Sequence, residues 1–143
     1  MELEQIFSMA GLLAMAGWLL LVFLPRNNIA RLVAGVVIPL LLSAAYLILI
    51  ALNLQGAQGG FGSLADVAAL FQKPELLLAD WIHYLAFDLF VGAWETRDAQ
   101  RHGISHLAVI PSLVMTFMLG PIGLLFYFAI RTAKTRGLTL EEA

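Results

Sequence analysis

The chain predicts an all-α polytopic membrane protein with four transmembrane helices and a short amphipathic interfacial helix between the second and third. Three observations carry this. Hydrophobic residues make up 61% of the 143 and charged residues 13%, against roughly 45–50% and 25% in soluble domains. The apolar residues collect in runs of about 20, enough helix to cross ~30 Å of hydrocarbon. Turn-forming clusters such as Pro25-Arg26-Asn27-Asn28 separate the runs. Four spans consume most of the length and leave a single domain over residues 1–143.

The first span covers about residues 5–24 and stops at Pro25. The acidic start Met1-Glu2-Leu3-Glu4 lacks the basic segment of a signal peptide, so this span is expected to be retained. Gly11 and Gly17, with Ala10, Ala14 and Ala16, give it small positions that let a partner backbone approach, within the chain or in a homo-oligomer. The second span, about 29–54, is uniformly aliphatic and tolerates Pro39 because neighbouring groups can satisfy the freed carbonyls.

Four glycines at Gly56, Gly59, Gly60 and Gly62 then precede Ser63-Leu64-Ala65-Asp66, the spacing of a capping box. A short helix over about 63–72 follows, with Leu64, Val67, Ala68 and Phe71 on one apolar face suited to the interface. The third span starts at Pro74-Glu75, where proline has no helical N–H to lose, and covers about 74–98. No breaker occurs before Gly103, so its helix runs on to that C′ glycine. Ser105 caps the fourth span, about 106–131, which Pro111 and Gly120-Pro121-Ile122-Gly123 should bend.

A net charge of −2 and scattered Lys and Arg exclude a nucleic-acid partner. The lack of cysteine excludes disulfides, thiolate catalysis and iron–sulfur ligation. Four spans place both termini on the same side. Membrane orientation is not fixed, because Arg26, Arg31, Arg97 and Arg101 on one side balance Lys73, Arg131, Lys134 and Arg136 on the other.

Chemistry concentrates in the third helix. Asp80, His83, Asp88, Glu95, Asp98 and His102 fall within one arc of about 140° at helical pitch, opposite Ile82, Leu85, Leu89 and Ala93. The expectation is a polar stripe turned away from lipid. Ionisable side chains at membrane depth are costly and mark function, and Asp88 lies near mid-span. Histidine exchanges protons near neutral pH and a carboxyl group can partner it, so His83 and Asp88 are the candidate general acid and base. They are five residues apart and face opposite rims of a ligand groove.

Ordinary i,i+3 and i,i+4 pairing accounts for Asp98 with Arg101 or His102. His83, Asp88, Glu95, His102 and His106 are permitted metal ligands, but their spacing matches no ligand motif, and the reading has no metal and no other cofactor. Trp81, Tyr84, Phe87, Val91, Glu95 and Phe117 are the candidate ligand-binding residues, aromatic walls around one or two titratable groups. An apolar rod-like or flat ligand fits that composition.

The stretches Leu78-Ala79-Asp80-Trp81-Ile82-His83-Tyr84-Leu85-Ala86-Phe87-Asp88-Leu89-Phe90-Val91-Gly92 and Thr116-Phe117-Met118-Leu119-Gly120-Pro121-Ile122-Gly123-Leu124-Leu125 resemble those of the abscisic-acid-deficient-four-like (neoxanthin synthase-like) membrane proteins. Length and span layout are similar over nearly the whole chain, in a short form that looks bacterial, and so an inner-membrane protein. The resemblance implies a place in xanthophyll metabolism, where an epoxy-carotenoid isomerises to an allene without a redox cofactor. His83 and Asp88 would supply the acid and base. The other reading is a non-catalytic membrane protein that binds a carotenoid or other isoprenoid, or assists another enzyme.

Overall fold

A computed structural model describes residues 2–137. Every regular element among them is helical: α1 Leu3–Phe23, α2 Asn28–Asn53, α3 Leu64–Leu70, α4 Pro74–Arg101, α5 His106–Leu119 and α6 Pro121–Thr135. Helices α1, α2 and α4 are long and apolar enough to cross a membrane.

Local chemistry sets the boundaries. The Gln5 side chain accepts the Glu2 N–H at the start of α1, and Asn27 Oδ1 accepts the Ala30 N–H at the start of α2. Within α2, a π-helical turn at Val33–Val37 ends two residues before Pro39, whose missing N–H breaks the regular ladder. Ser63 caps α3 as its spacing predicts, accepting from Asp66 N at 3.1 Å. The buried side chain of α3 is Leu70, however, while Leu64 of the expected apolar face is 87% exposed. Helix α4 starts at Pro74, held to the end of α2 by Lys73 Nζ donating to the Asn53 carbonyl. It runs unbroken to Arg101, and Gly103 takes φ +63° just beyond it, as the sequence predicts.

Helix α4 is the centre of the bundle. Ile82, Leu85, Leu89 and Ala93 are buried against α1 and α2. Trp18 of α1 lies against Gly92, and Ala93 packs on Gly35 of α2. Ala10, Ala14 and Gly17 are buried within the chain itself, so the small-residue stripe of α1 serves packing between its own helices.

The expected fourth span is two helices. Helix α5 has 14 residues, about 21 Å at 1.5 Å per residue and too short for ~30 Å of hydrocarbon. Gly120 then takes φ +46° and ψ −97°, and α6 folds back along α5. Position along α4 gives the direction: Phe117 and Gly120 lie at Tyr84 and Asp88, Thr116 at Glu95, and Tyr127 and Arg131 at Asp98. The tip of this helical hairpin is level with the middle of α4, and both of its ends lie beside Gly103–Ser105.

The fold-back corrects two expectations. Leu3 and Thr135 lie at opposite ends of the bundle, because three long helices and a returning hairpin replace four crossings. Seven cations (Arg26, Arg31, Arg97, Arg101, Arg131, Lys134, Arg136) now share the end where α4 finishes, and Lys73 stands alone at the other. The four-to-four balance assumed that residues 106–131 run from one end of the bundle to the other, and here they return to the end they started from. The physical cause is local: a residue before proline is driven out of the helical region, and Gly123 lets the returning backbone touch Thr116 where a Cβ would overlap it.

Candidate functional site

Asp88 sits under the hairpin tip. A Cβ built on Gly120 would lie 2.9 Å from Asp88 Oδ1 and 3.1 Å from Oδ2, so both the positive φ and the carboxyl group require glycine there. Tyr84 is one turn earlier on the same face of α4, and its hydroxyl donates to the Phe117 carbonyl at 3.1 Å. That carbonyl would otherwise have been the acceptor for residue 121, which is proline and has no N–H. Tyr84 thus closes the hydrogen bond that the helix break opens.

Seven residues past Asp88, Glu95 is wholly buried between α4 and α5, and Thr116 Oγ1 donates to its Oε1 at 2.9 Å. Asp88 Oδ2 and Glu95 Oε2 are buried with no hydrogen-bond partner. Each such atom costs about 1–3 kcal/mol by mutational measures, so an unpartnered oxygen on the partly exposed Asp88 calls for an explanation. Asp88 as a residue is only partly enclosed, whereas Glu95 has no exposed surface. Of the two carboxyl groups, Asp88 alone can meet a ligand arriving from outside the bundle.

A third carboxyl group fastens the hairpin base. Asp98 Oδ2 accepts from Tyr127 Oη at 2.5 Å and from Arg131 Nε at 2.8 Å. Arg131 Nη2 reaches His102 Nε2 at 3.2 Å, while His102 Nδ1 lies 2.8 Å from the Asp98 carbonyl. Guanidinium has only donors, so Nε2 accepts and Nδ1 carries the hydrogen. His106 Nε2 faces the Val22 carbonyl at 2.9 Å, tying the start of α5 to α1.

The sequence-derived site residues divide into two groups. Trp81, Tyr84 and Asp88 share one face of α4, and Phe117 joins them from α5. Phe7 of α1 stacks near Trp81 at 5.7 Å and Trp81 on Tyr84 at 5.3 Å, a ladder of rings that leads to Asp88. Val91 is partly buried one turn further along. His83 is elsewhere: it is exposed, and its ring contacts Tyr46 of α2 at 5.6 Å and Phe87 at 4.7 Å. Phe87 is itself 60% exposed. The structure brings Asp88 together with Tyr84 and Gly120, not with His83.

The expectation that the polar stripe faces inward holds only from Asp88 onward. Asp80 and His83 are exposed, and the opposite residues Ile82 and Leu85 are buried. The hairpin covers α4 only from its tip upward, so Asp80 and His83 have no hairpin helix over them, and His83 meets the Tyr46 ring of α2 and the Phe87 ring of its own helix. Thr116, Gly120, Tyr127 and Arg131 were not singled out in the sequence as site residues; Gly120-Pro121 read as a bend rather than a reversal. Among the described residues no three His, Asp or Glu side chains converge as metal ligands would.

Comparison with known proteins gives one match. No curated protein and no solved structure matches this chain. The family described as ABA DEFICIENT 4-like matches residues 5–127, from the first turn of α1 through α2, α3, α4 and α5 into the first half of α6. The chain therefore belongs to the ABA4-like family.

Proposed function

We propose that this protein is an integral membrane protein of xanthophyll metabolism that isomerises an epoxy-carotenoid to an allenic product at the membrane-facing flank below the hairpin tip. Family membership supports the carotenoid connection. The observation that carries the chemistry is Asp88, a partly enclosed carboxyl group with an unpartnered oxygen, at the end of the Phe7–Trp81–Tyr84 ladder.

The polyene lies along those rings, where apolar and aromatic contact suits it, and the epoxide end reaches Asp88. The Asp88 carboxylate takes the proton from the polyene carbon next to the epoxide. That C–H pair becomes a new C=C bond, the adjacent C–O bond of the epoxide breaks, and the oxygen takes a proton from the Tyr84 hydroxyl. One proton leaves carbon and one reaches oxygen, so the product is an isomer and no electrons are exchanged with a cofactor. Transfer of the proton from Asp88 back to Tyr84, its neighbour one turn away, restores the site.

In this reading Glu95 does not touch substrate; with Thr116 it fixes α5 against α4. His83 lies outside the reaction. The end rich in Arg and Lys is cytoplasmic, by the excess of basic residues on that side, so the amino-terminal end faces outward, in a bacterium across the inner membrane. Helix α3 lies in the outer interface.

The test is incubation of purified protein in detergent with violaxanthin-type epoxide, followed by chromatography. Conversion to an allenic isomer supports the reading. Protein that retains the pigment unchanged through prolonged incubation contradicts catalysis and favours a carotenoid carrier.

A further inference from the structure

We propose that the groove between α2 and α4 at the arginine-rich end binds the phosphate of an anionic lipid headgroup. The groove has a volume of about 490 Å³. From α2 it takes Asn28, Arg31, Leu32 and Val36, and from α4 Arg97, Gln100 and Arg101. These are single stripes at three- and four-residue spacing on two adjacent helices, so the side chains converge on one channel. Among the described residues that line it there is no carboxylate.

Of the three cations, Arg31 is held in place. Arg31 Nη2 donates to Asn28 Oδ1 at 2.7 Å and Nη1 to Gln100 Oε1 at 3.3 Å. Gln100 is fixed in turn by Nε2 donating to the Pro25 carbonyl at 2.7 Å, which aims its oxygen at Arg31. A pre-oriented guanidinium loses less freedom on meeting a phosphate, and its planar fork matches phosphate oxygens.

The start of α2 adds to the field. Helices usually carry an acid in the first turn, where the dipole is positive. Helix α2 has none, and Arg31 is its fourth residue. An anion in the groove offsets both the helix end and the guanidinium. Leu32 is 55% exposed and Val36 lies one turn deeper, so the wall continues as apolar surface toward the bilayer. A soluble anion has no use for that wall; an acyl chain does. Basic pockets of this kind on the cytoplasmic face suit anionic headgroups.

The site is independent of the carotenoid reading and is tested without it. Native mass spectrometry of the full chain in neutral detergent is titrated with phosphatidylglycerol, phosphatidylcholine or inorganic phosphate. Phosphatidylglycerol is expected to bind well above phosphatidylcholine, and R31Q/R97Q to weaken it by about tenfold or more. R97Q alone alters an exposed side chain, so it keeps the test valid if the double variant does not fold; it should weaken binding severalfold. R136Q, outside the groove, should leave binding unchanged. Inorganic phosphate competing as well as the lipid would overturn the lipid source, because the apolar wall would then contribute nothing. Equal affinity for both lipids, or for wild type and the groove variants, overturns the proposal.

Discussion

Gly120 and Asp88 are fitted to each other: the hairpin reverses at Gly120 with φ +46°, and a Cβ there would come within 2.9 Å of Asp88 Oδ1. One glycine therefore makes the reversal possible and leaves room for the carboxyl group beneath it. Gly120→Ala should destabilise the protein by about 1–3 kcal/mol through backbone strain and should displace Asp88. Thermal unfolding together with epoxide conversion checks this; a variant as stable and as active as wild type would show that the tip does not depend on glycine.

The hairpin base depends on Asp98 and Arg131. Both are buried, so Arg131→Met leaves a carboxylate without its cation and should cost about 3–5 kcal/mol. Adding Asp98→Leu removes the stranded charge. The double variant should be more stable than Arg131→Met alone, by denaturant or thermal unfolding, and a double variant no better than the single would refute the ion-pair account.

The two ends of the described chain should be on opposite sides of the membrane. The sequence has no cysteine, so Glu4→Cys and Lys134→Cys each introduce a unique thiol. In intact cells a membrane-impermeant maleimide should label the first and reach the second only after lysis. Labelling of both from outside, or of neither, would restore an even number of crossings.

Tyr84→Phe removes the donor to the Phe117 carbonyl and the proposed proton source for the epoxide oxygen. Stability should fall by about 1–2 kcal/mol, and conversion by about 100-fold, the scale of general acid catalysis. Loss of stability with conversion intact would confine Tyr84 to a structural part.

Much of this molecule is legible locally. Pro25, Ser63, Pro74 and Gly103 mark boundaries through their own backbone chemistry, and the structure places them where those rules predict. The common face of Tyr84, Asp88, Glu95 and Asp98 follows from helical pitch alone. The reversal at Gly120 was not legible, because residues 106–131 have the length and hydropathy of a span whether the chain crosses or returns. Its signal was the pair of glycines around Pro121, one for the turn and one for close contact between the two arms. The different surroundings of His83 and Asp88 were not legible for the same reason: periodicity puts them on opposite rims of one helix, and which neighbour covers each angle depends on the hairpin.

The proposed isomerisation depends on proton transfer at Asp88. Its most direct measurement is the rate of epoxy-carotenoid conversion by wild type, Asp88→Asn and His83→Ala, each checked for folding by thermal unfolding. The expected result is conversion by wild type, a loss of about 100-fold or more in Asp88→Asn, and a rate near wild type in His83→Ala. Full activity in a folded Asp88→Asn, or loss of activity confined to His83→Ala, would contradict it.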